Sequence, residues 1–104
     1  MLMLNSRQRA YLRGMANSIE PVSQIGKNGI NETFISQLAD VLEKRELIKV
    51  TVLETAFMTT RAACEQCAEL LKADPVQCIG YKFVLYKQAN NVKNRKITMP
   101  KKKK

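Results

Sequence analysis

Two short motifs hold the residues of this chain whose types and spacing could support chemistry. The first, Gly26-Lys27-Asn28-Gly29, places two glycines three residues apart around a lysine and an asparagine. The second, Cys64-Glu65-Gln66-Cys67, is a CxxC pattern. The chain has no histidine, so the commonest general base is missing and a serine or cysteine nucleophile would lack its usual partner. We therefore predict that the protein is not an enzyme and has no catalytic residues.

The glycine motif has two explanations. Asn-Gly is a frequent turn pair and glycine supplies the positive φ that turns need, so the motif is consistent with an ordinary strand-to-helix connection. Alternatively, glycines let a backbone approach a ligand closely and a helix start favours an anion, so the motif could clamp phosphates, as KH domains do with a GxxG loop. A P-loop is excluded because Ile30 follows the second glycine.

The CxxC motif could be a redox dithiol or half of a zinc site. A structural zinc site needs four ligands, and with three cysteines and no histidine we predict no metal and no cofactor. A thioredoxin-like dithiol lies at a helix N-terminus, whereas Cys64 falls several residues into a predicted helix with acidic neighbours. We expect Cys64 and Cys67 to be buried in that helix and Cys78 to share a strand face with Val76. A thiol redox protein is the alternative from a different functional class.

Seven elements can position these motifs. Apolar periodicity predicts helices over residues 5–18, 31–44 and 59–72 and strands over residues 21–25, 47–53, 75–79 and 82–87. Asn31 is the candidate N-cap of the second helix, so the glycine motif lies between the first strand and that helix. The order of elements predicts an α/β domain in which helices cover a four-stranded sheet.

The positive charge is concentrated at the C-terminal end. Residues 93–104 carry seven basic and no acidic side chains out of a formal net charge of +9. We predict a domain over residues 1–92 and a disordered tail over 93–104, which either adds sequence-independent affinity for a polyanion or serves solubility alone. Asp40, Glu43 and Glu46 are expected to form a solvated face of the second helix. Because no apolar run is long enough for a membrane span or signal peptide, we expect a soluble, cytoplasmic protein with no membrane partner.

Three longer segments resemble one known family. They are LRGMANSIEPVSQIGKNGI, LEKRELIKVTVL and QCIGYKFVLYK. In order and spacing they are similar to the hallmark segments of the YhbY-like family, also called the CRM domain, for chloroplast RNA splicing and ribosome maturation. The resemblance runs from about Asn5 to Lys87. It implies a single compact α-β-α-β-α-β-β domain with a four-stranded mixed sheet, similar to the C-terminal domain of translation initiation factor three.

The resemblance also implies an RNA-binding function. Single-domain bacterial members associate with the precursor of the large ribosomal subunit, so ribosomal RNA or pre-large-subunit particles are the expected partner. Plant members act in intron splicing, so a splicing or other RNA-processing role is the alternative, and the oligomeric state is left open. The RNA-contacting loop of the family falls on Gly26, Lys27, Asn28 and Gly29. The supporting basic residues would be Arg9, Arg13, Lys44, Arg45, Lys49, Lys82 and Lys87.

The chain departs from the family pattern at two positions. Family members often carry histidine and lysine where this chain has Asn17 and Glu20. We expect Glu20 to bring negative charge close to the glycine motif. Tyr81, Phe83 and Tyr86 are the aromatic residues of the last two strands; core positions are expected for them, and only a solvent-facing ring could stack on a base.

Overall fold

A computed structural model describes residues 4–97, which form three α-helices and a four-stranded sheet. The elements are α1 (Ser6–Ala16), β1 (Ser23–Ile25), α2 (Glu32–Arg45), β2 (Leu47–Val52), α3 (Thr60–Leu71), β3 (Asp74–Ile79) and β4 (Lys82–Tyr86), with 3₁₀ turns at Glu54–Ala56 and Val92–Asn94. This is the predicted α-β-α-β-α-β-β order, so the fold class is confirmed. None of the helices between residues 4 and 97 has the length and apolar character needed to cross a membrane.

Side-chain caps decide where the helices begin. The Asn5 side chain accepts a hydrogen bond from the Gln8 amide at 2.8 Å, and the Gln8 side chain accepts one from the Asn5 amide at 3.2 Å. This reciprocal capping box satisfies two of the amides that a helix start leaves without partners. Asn31 caps α2 by accepting from the Phe34 amide at 2.8 Å, and Thr59 caps α3 in the same way.

The sheet is mixed, with the strand order β1-β2-β4-β3. β1 pairs with β2 in parallel, whereas β2 with β4 and β4 with β3 are antiparallel. A parallel pair needs a crossover connection, which α2 provides. Parallel pairing also places the C-terminal ends of β1 and β2 at the same end of the sheet. There the Leu53 amide donates a hydrogen bond to the Ile25 carbonyl at 2.9 Å. The glycine motif that follows β1 therefore lies beside the loop that follows β2.

Helices cover both faces of the sheet. Because side chains alternate along a strand, the two central strands, β2 and β4, contribute to a core on each face. On one face α1 buries Leu12 and Ala16, and on the other face α2 and α3 bury a larger set. The first core is Leu12, Ala16, Leu47, Val76, Val84 and Tyr86; the second includes Ile25, Leu38, Leu42, Ile48, Val50, Val52, Cys67, Leu71, Phe83 and Leu85.

A bulge in β3 overturns one expectation. The register with β4 shifts between Pro75 and Gln77, so one extra residue enters the strand there. As a result Val76 is buried in the α1 core, whereas Cys78 pairs with Phe83 and lies toward the other face, exposed at the edge of the sheet. The expectation that Val76 and Cys78 share one face is wrong, because period-two alternation does not continue through a bulge.

Glu46 was expected on a solvated helix face, but its side chain is fully buried. Its carboxylate accepts hydrogen bonds from three backbone amides of the C-terminal segment: Ala89 at 2.8 Å, Lys96 at 2.6 Å and Ile97 at 3.0 Å. Its own carbonyl accepts from the Lys87 amide at 2.9 Å. The expectation of a solvated Glu46 is wrong because the chain returns to the end of α2 after β4, and that return cannot be seen from helical spacing.

Glu43, one turn earlier on α2, binds the same segment. Its carboxylate accepts from the Asn90 amide at 2.7 Å, the Asn91 amide at 3.1 Å and the Asn94 side-chain amide at 3.0 Å. The Asn94 hydrogen bond and then the two backbone amides lower the pKa of Glu43 below 4.5. A carboxyl group whose pKa is lower in the folded than in the unfolded protein stabilises the fold at pH values above its unfolded-state pKa. That stabilisation is lost as the pH falls through the folded-state pKa.

These contacts bear on the boundary between body and tail. The sequence places that boundary after residue 92, whereas the carboxylates of Glu43 and Glu46 hold residues 93–97 against the body. Ile97 also packs against the α1 core. Residues 98–104 lie outside the described part of the chain, so the disorder predicted for them stays a prediction.

We predict that Glu46→Gln lowers the free energy of unfolding by about 2 kcal/mol, because the new side-chain NH₂ must face an amide that has lost its acceptor. Chemical denaturation measures this. Asp40→Asn removes an exposed carboxylate from the same helix and is the control, with little expected change. Equal effects of the two substitutions would contradict a specific role for the buried carboxylate.

Candidate nucleic-acid interface

The glycine motif forms a tight turn between β1 and α2. The Gly29 amide donates to the Gly26 carbonyl at 2.9 Å, which leaves Lys27 and Asn28 exposed at the tip. Gly29 has a φ of 65°, so the turn itself requires glycine there. Gly26 has no left-handed φ, and a Cβ on it would lie 3.6 Å from the Thr55 side-chain oxygen, an ordinary contact distance. The turn therefore explains Gly29 and leaves Gly26 without a structural requirement.

The turn leads directly into the start of α2. The Asn31 side chain accepts a hydrogen bond from the Phe34 amide. The amides of Glu32 and Thr33 lie in the first turn of α2, so they have no hydrogen-bond acceptor within the helix. A cleft of about 260 Å³ is lined both by the turn and by this first helical turn, including Thr33. Backbone donors and the helix dipole favour an anion there, with Lys27 above it. Glu32 adds an acidic side chain to the same helical turn.

Beside the turn, half of one sheet face is left open. On the α1 side, strand register places Gln24, Thr51 and Lys82 in one row across β1, β2 and β4. Lys49 lies in the next row, opposite Val84. The buried α1 contacts lie toward the other end of this face, at Leu47, Val84 and Tyr86. We call the partly or fully exposed remainder the open sheet face; it consists of Gln24, Lys49, Thr51, Gln77, Ile79 and Lys82.

One arginine of α1 borders this open sheet face. Arg9 lines a cleft with Val76 and Gln77 at the β3 edge. Arg13 follows four residues later on the same flank of the helix and is exposed. The structure thus brings six of the eleven predicted site residues to the glycine turn and the open sheet face beside it, with a seventh, Arg9, at the β3 edge of that face. The six are Gly26, Lys27, Asn28, Gly29, Lys49 and Lys82, and Arg13 is exposed one turn after Arg9 on α1.

The other three predicted residues lie elsewhere. Lys44 and Arg45 end α2 beside the start of β2, and Lys87 follows β4 at the same end of the sheet. By strand length this end is about 16 Å from the glycine turn. Lys44 and Arg45 line a cleft of about 570 Å³ together with Glu20. The expectation that Glu20 brings negative charge close to the glycine motif is wrong, because the two stand at opposite ends of β1.

Two exposed aromatic rings belong to the glycine-turn end. Tyr81, at the β3–β4 turn, is 64% exposed, while Phe83 and Tyr86 are buried in the core. Phe57, which is not among the predicted site residues, is 92% exposed and follows the 3₁₀ turn beside Gly26. The sequence feature that could have indicated Phe57 is its position as a lone aromatic residue in a short loop without apolar periodicity.

The two cysteines of the CxxC motif differ from a redox dithiol in burial and in position. Cys64 and Cys67 are buried in the middle of α3, where burial raises the pKa of Cys64 to about 11 and that of Cys67 to about 12. Both thiols are therefore protonated at neutral pH, the opposite of what a redox dithiol requires. Within residues 4–97, no group of three His, Cys, Asp or Glu side chains is placed to hold a metal ion.

The fold and this end of the sheet define a small three-layer α/β domain with a glycine turn between its first strand and second helix. Residues 4–87 match the CRS1 / YhbY (CRM) domain, and the chain belongs to this family. The predicted family is thereby confirmed.

Two bacterial relatives are matched over their whole length. The Bacillus subtilis protein named Probable RNA-binding protein YqeI is 38% identical over 94% of this chain and 100% of its own. A Haemophilus influenzae protein named RNA-binding protein is 32% identical over 98% and 100%. The solution structure of the hypothetical protein SAV1595 from Staphylococcus aureus superposes with a TM-score of 0.71 at 38% identity, covering 92% of this chain and all of that one.

The two glycines are expected to respond differently to substitution. Gly29→Ala should lower the free energy of unfolding by about 1 kcal/mol, because alanine is strained at positive φ. Gly26→Ala should change it by less than about 0.5 kcal/mol, since the added methyl group meets only ordinary contacts. Thermal or chemical unfolding compares them. If Gly26→Ala lowers the free energy of unfolding by more than this, the turn itself would account for Gly26.

Thiol titration with a disulfide reagent at neutral pH is expected to find one fast and two slow cysteines. Cys78 is exposed, whereas Cys64 and Cys67 should react only as fast as the protein unfolds. Cys78→Ser should remove the fast phase. Two fast thiols that survive this substitution would restore the redox alternative.

Proposed function

We propose that this protein binds RNA through the Gly26–Gly29 turn and the basic residues around the open sheet face. The observation that carries the proposal is the glycine turn at the start of α2, where Gly26, Lys27 and, from the first helical turn, Thr33 line one cleft. Phosphate is the ligand class that this arrangement suits, because backbone amides and a mobile cation recognise charge and not sequence. Gly26, which the turn does not need, would allow the close approach of a phosphate.

The basic residues around the open sheet face would guide the rest of the strand. Lys82 stands in the row nearest the turn and Lys49 in the next, with Arg9 at the border and Arg13 one helical turn after it. Phosphate contacts of this kind supply affinity that falls with salt concentration. Lys44, Arg45 and Lys87 lie at the far end, so they would contact only a longer or folded RNA. The basic residues beyond Ile97 would add a sequence-independent contribution.

The proposed biological role is assembly of the large ribosomal subunit in the cytoplasm, with no catalytic activity. Several relatives carry RNA-binding names, and this chain covers those from Bacillus subtilis and Haemophilus influenzae from end to end. For single-domain bacterial members of the family, the resemblance implies association with precursors of the large ribosomal subunit. Ribosomal RNA in those particles is therefore the proposed partner.

Changing Lys27 and Asn28 together to Asp tests the proposal, because it leaves both glycines in place and puts acid where phosphate should lie. Affinity for ribosomal RNA should fall about tenfold or more, and the salt dependence should weaken by about one unit of slope. Cosedimentation with large-subunit precursors should fall in parallel. Gly26→Ala should weaken binding with the fold intact, because its methyl group would occupy the approach of the phosphate.

The matched control is Lys44→Asp with Gln88→Asp, which changes net charge by the same amount at the far end of the sheet. We expect a clearly smaller loss of affinity for a short RNA. If both double variants lose affinity equally, bulk charge and not the turn carries binding. If the loop variant binds RNA and precursors as wild type does, the motif is only a turn and the proposal fails.

A further inference from the structure

Three loops meet at the glycine-turn end of the sheet. The loop between β2 and α3 is tied to the β3–β4 turn at both of its ends: the Val52 amide donates to the Tyr81 carbonyl, and the Thr60 hydroxyl donates to the Gly80 carbonyl at 2.8 Å. In its middle, the Thr55 side chain lies against Gly26. The glycine turn, the β2–α3 loop and the β3–β4 turn therefore form one continuous surface.

This surface exposes the two most solvent-accessible aromatic rings of the described residues, Phe57 and Tyr81. Phe57 also has a φ of 52°, a left-handed conformation that is costly for a bulky residue. A ring that is 92% exposed gains nothing from packing in the folded domain. Single exposed apolar residues are ordinary on protein surfaces, but two aromatic rings and Ile79 on the same end of a small domain are not explained by the fold.

Two lysines belong to the same surface as these rings, together with one acidic residue, Glu54, in the loop of Phe57. Lys27 is at the tip of the adjoining turn, and Lys82 directly follows Tyr81. A surface that combines cations with solvent-facing aromatic rings matches the two parts of a nucleotide strand, since phosphates bind cations and bases stack on rings. Bases inside a duplex are already stacked on each other, so only unpaired bases could use the rings.

We infer that Phe57 and Tyr81 form a stacking platform for unpaired bases of the strand whose phosphates the Gly26–Gly29 turn holds. The inference rests on the proposed function and adds the class of RNA to it: single-stranded or looped segments in preference to continuous duplex. Because every base has a face that can stack, the platform gives little sequence preference. Cations fix the path of the backbone, and the rings distinguish unpaired from paired nucleotides.

Short oligo(U) and a duplex RNA of equal length are the probes. Phe57→Ala and Tyr81→Ala should each weaken oligo(U) binding roughly 5-fold to 100-fold and leave its salt slope unchanged, because stacking involves no counterion release. Duplex binding should change little. Phe57→Leu keeps an apolar side chain without the ring and should lose as much as alanine. Tyr11→Ala, a partly exposed aromatic on α1, is the control and should have no effect.

A fluorescent reporter measures stacking directly. The chain contains no tryptophan, so Phe57→Trp introduces a single indole at the platform. Oligo(U) should quench its emission and bind at least as tightly as to wild type, whereas duplex RNA should quench it far less.

The outcomes separate the two proposals. If oligo(U) binding depends on Lys27 and Asn28 but the ring variants keep full affinity, the platform is overturned and the phosphate-binding turn stands, with the rings left as contacts for a protein partner. If Phe57→Leu binds as wild type does, the contact is apolar and not a stacking contact, which also overturns the inference. If wild type binds no RNA, the proposed function itself fails.

Discussion

The buried carboxylate of Glu46 joins more of this molecule than any single packing contact described above. It stands between α2 and β2, where its φ of 66° turns the chain from helix into strand. Its side chain accepts hydrogen bonds from three backbone amides of the C-terminal segment. Its carbonyl accepts a hydrogen bond from the amide of Lys87, the residue after β4. A buried carboxyl group is tolerated only when its hydrogen-bonding capacity is satisfied, so the return of the segment after β4 to α2 is what makes this burial possible.

That return closes one end of the sheet and leaves the other open. At the closed end Glu43, Glu46, Ile97 and the α1 core hold the C-terminal segment. At the open end the connections after β1, β2 and β3 are short and exposed, and α1 does not cover Thr51 or Lys82. Rigid packing at one end thus supports loops at the other, an arrangement common among binding proteins because loops can present backbone groups to a ligand.

Strand pairing explains why the segments that resemble the family belong together. The run Glu46–Val50 pairs with Phe83–Lys87 in the centre of the sheet, and Val50 also pairs with Ser23 on β1. The parallel β1–β2 pair then fixes where the glycine turn emerges. The segments that resemble the family are therefore largely the strands that pair with each other at the centre of the sheet. This pairing positions the turn that is proposed to hold phosphate.

Much of the fold was predictable from local chemistry. The caps at Asn5, Asn31 and Thr59, the helical spacing, and the alternation along β2 each depend on residues close in sequence, and the resemblance supplied their arrangement. The glycine motif was also recognised, although its two glycines differ: Gly29 has the positive φ, and Gly26 does not.

Sequence alone determined the order of elements, the family and the position of the glycine turn, because periodicity, caps and turn residues are local properties. Only the tertiary structure decided that Glu46 is buried, that Glu20 lies away from the turn, that Cys78 leaves the face of Val76, and that Phe57 and Tyr81 share one end. Each of these depends on strand register, a bulge or the return of a distant segment. Such pairings join residues far apart in sequence, and helical or strand periodicity carries no information about them.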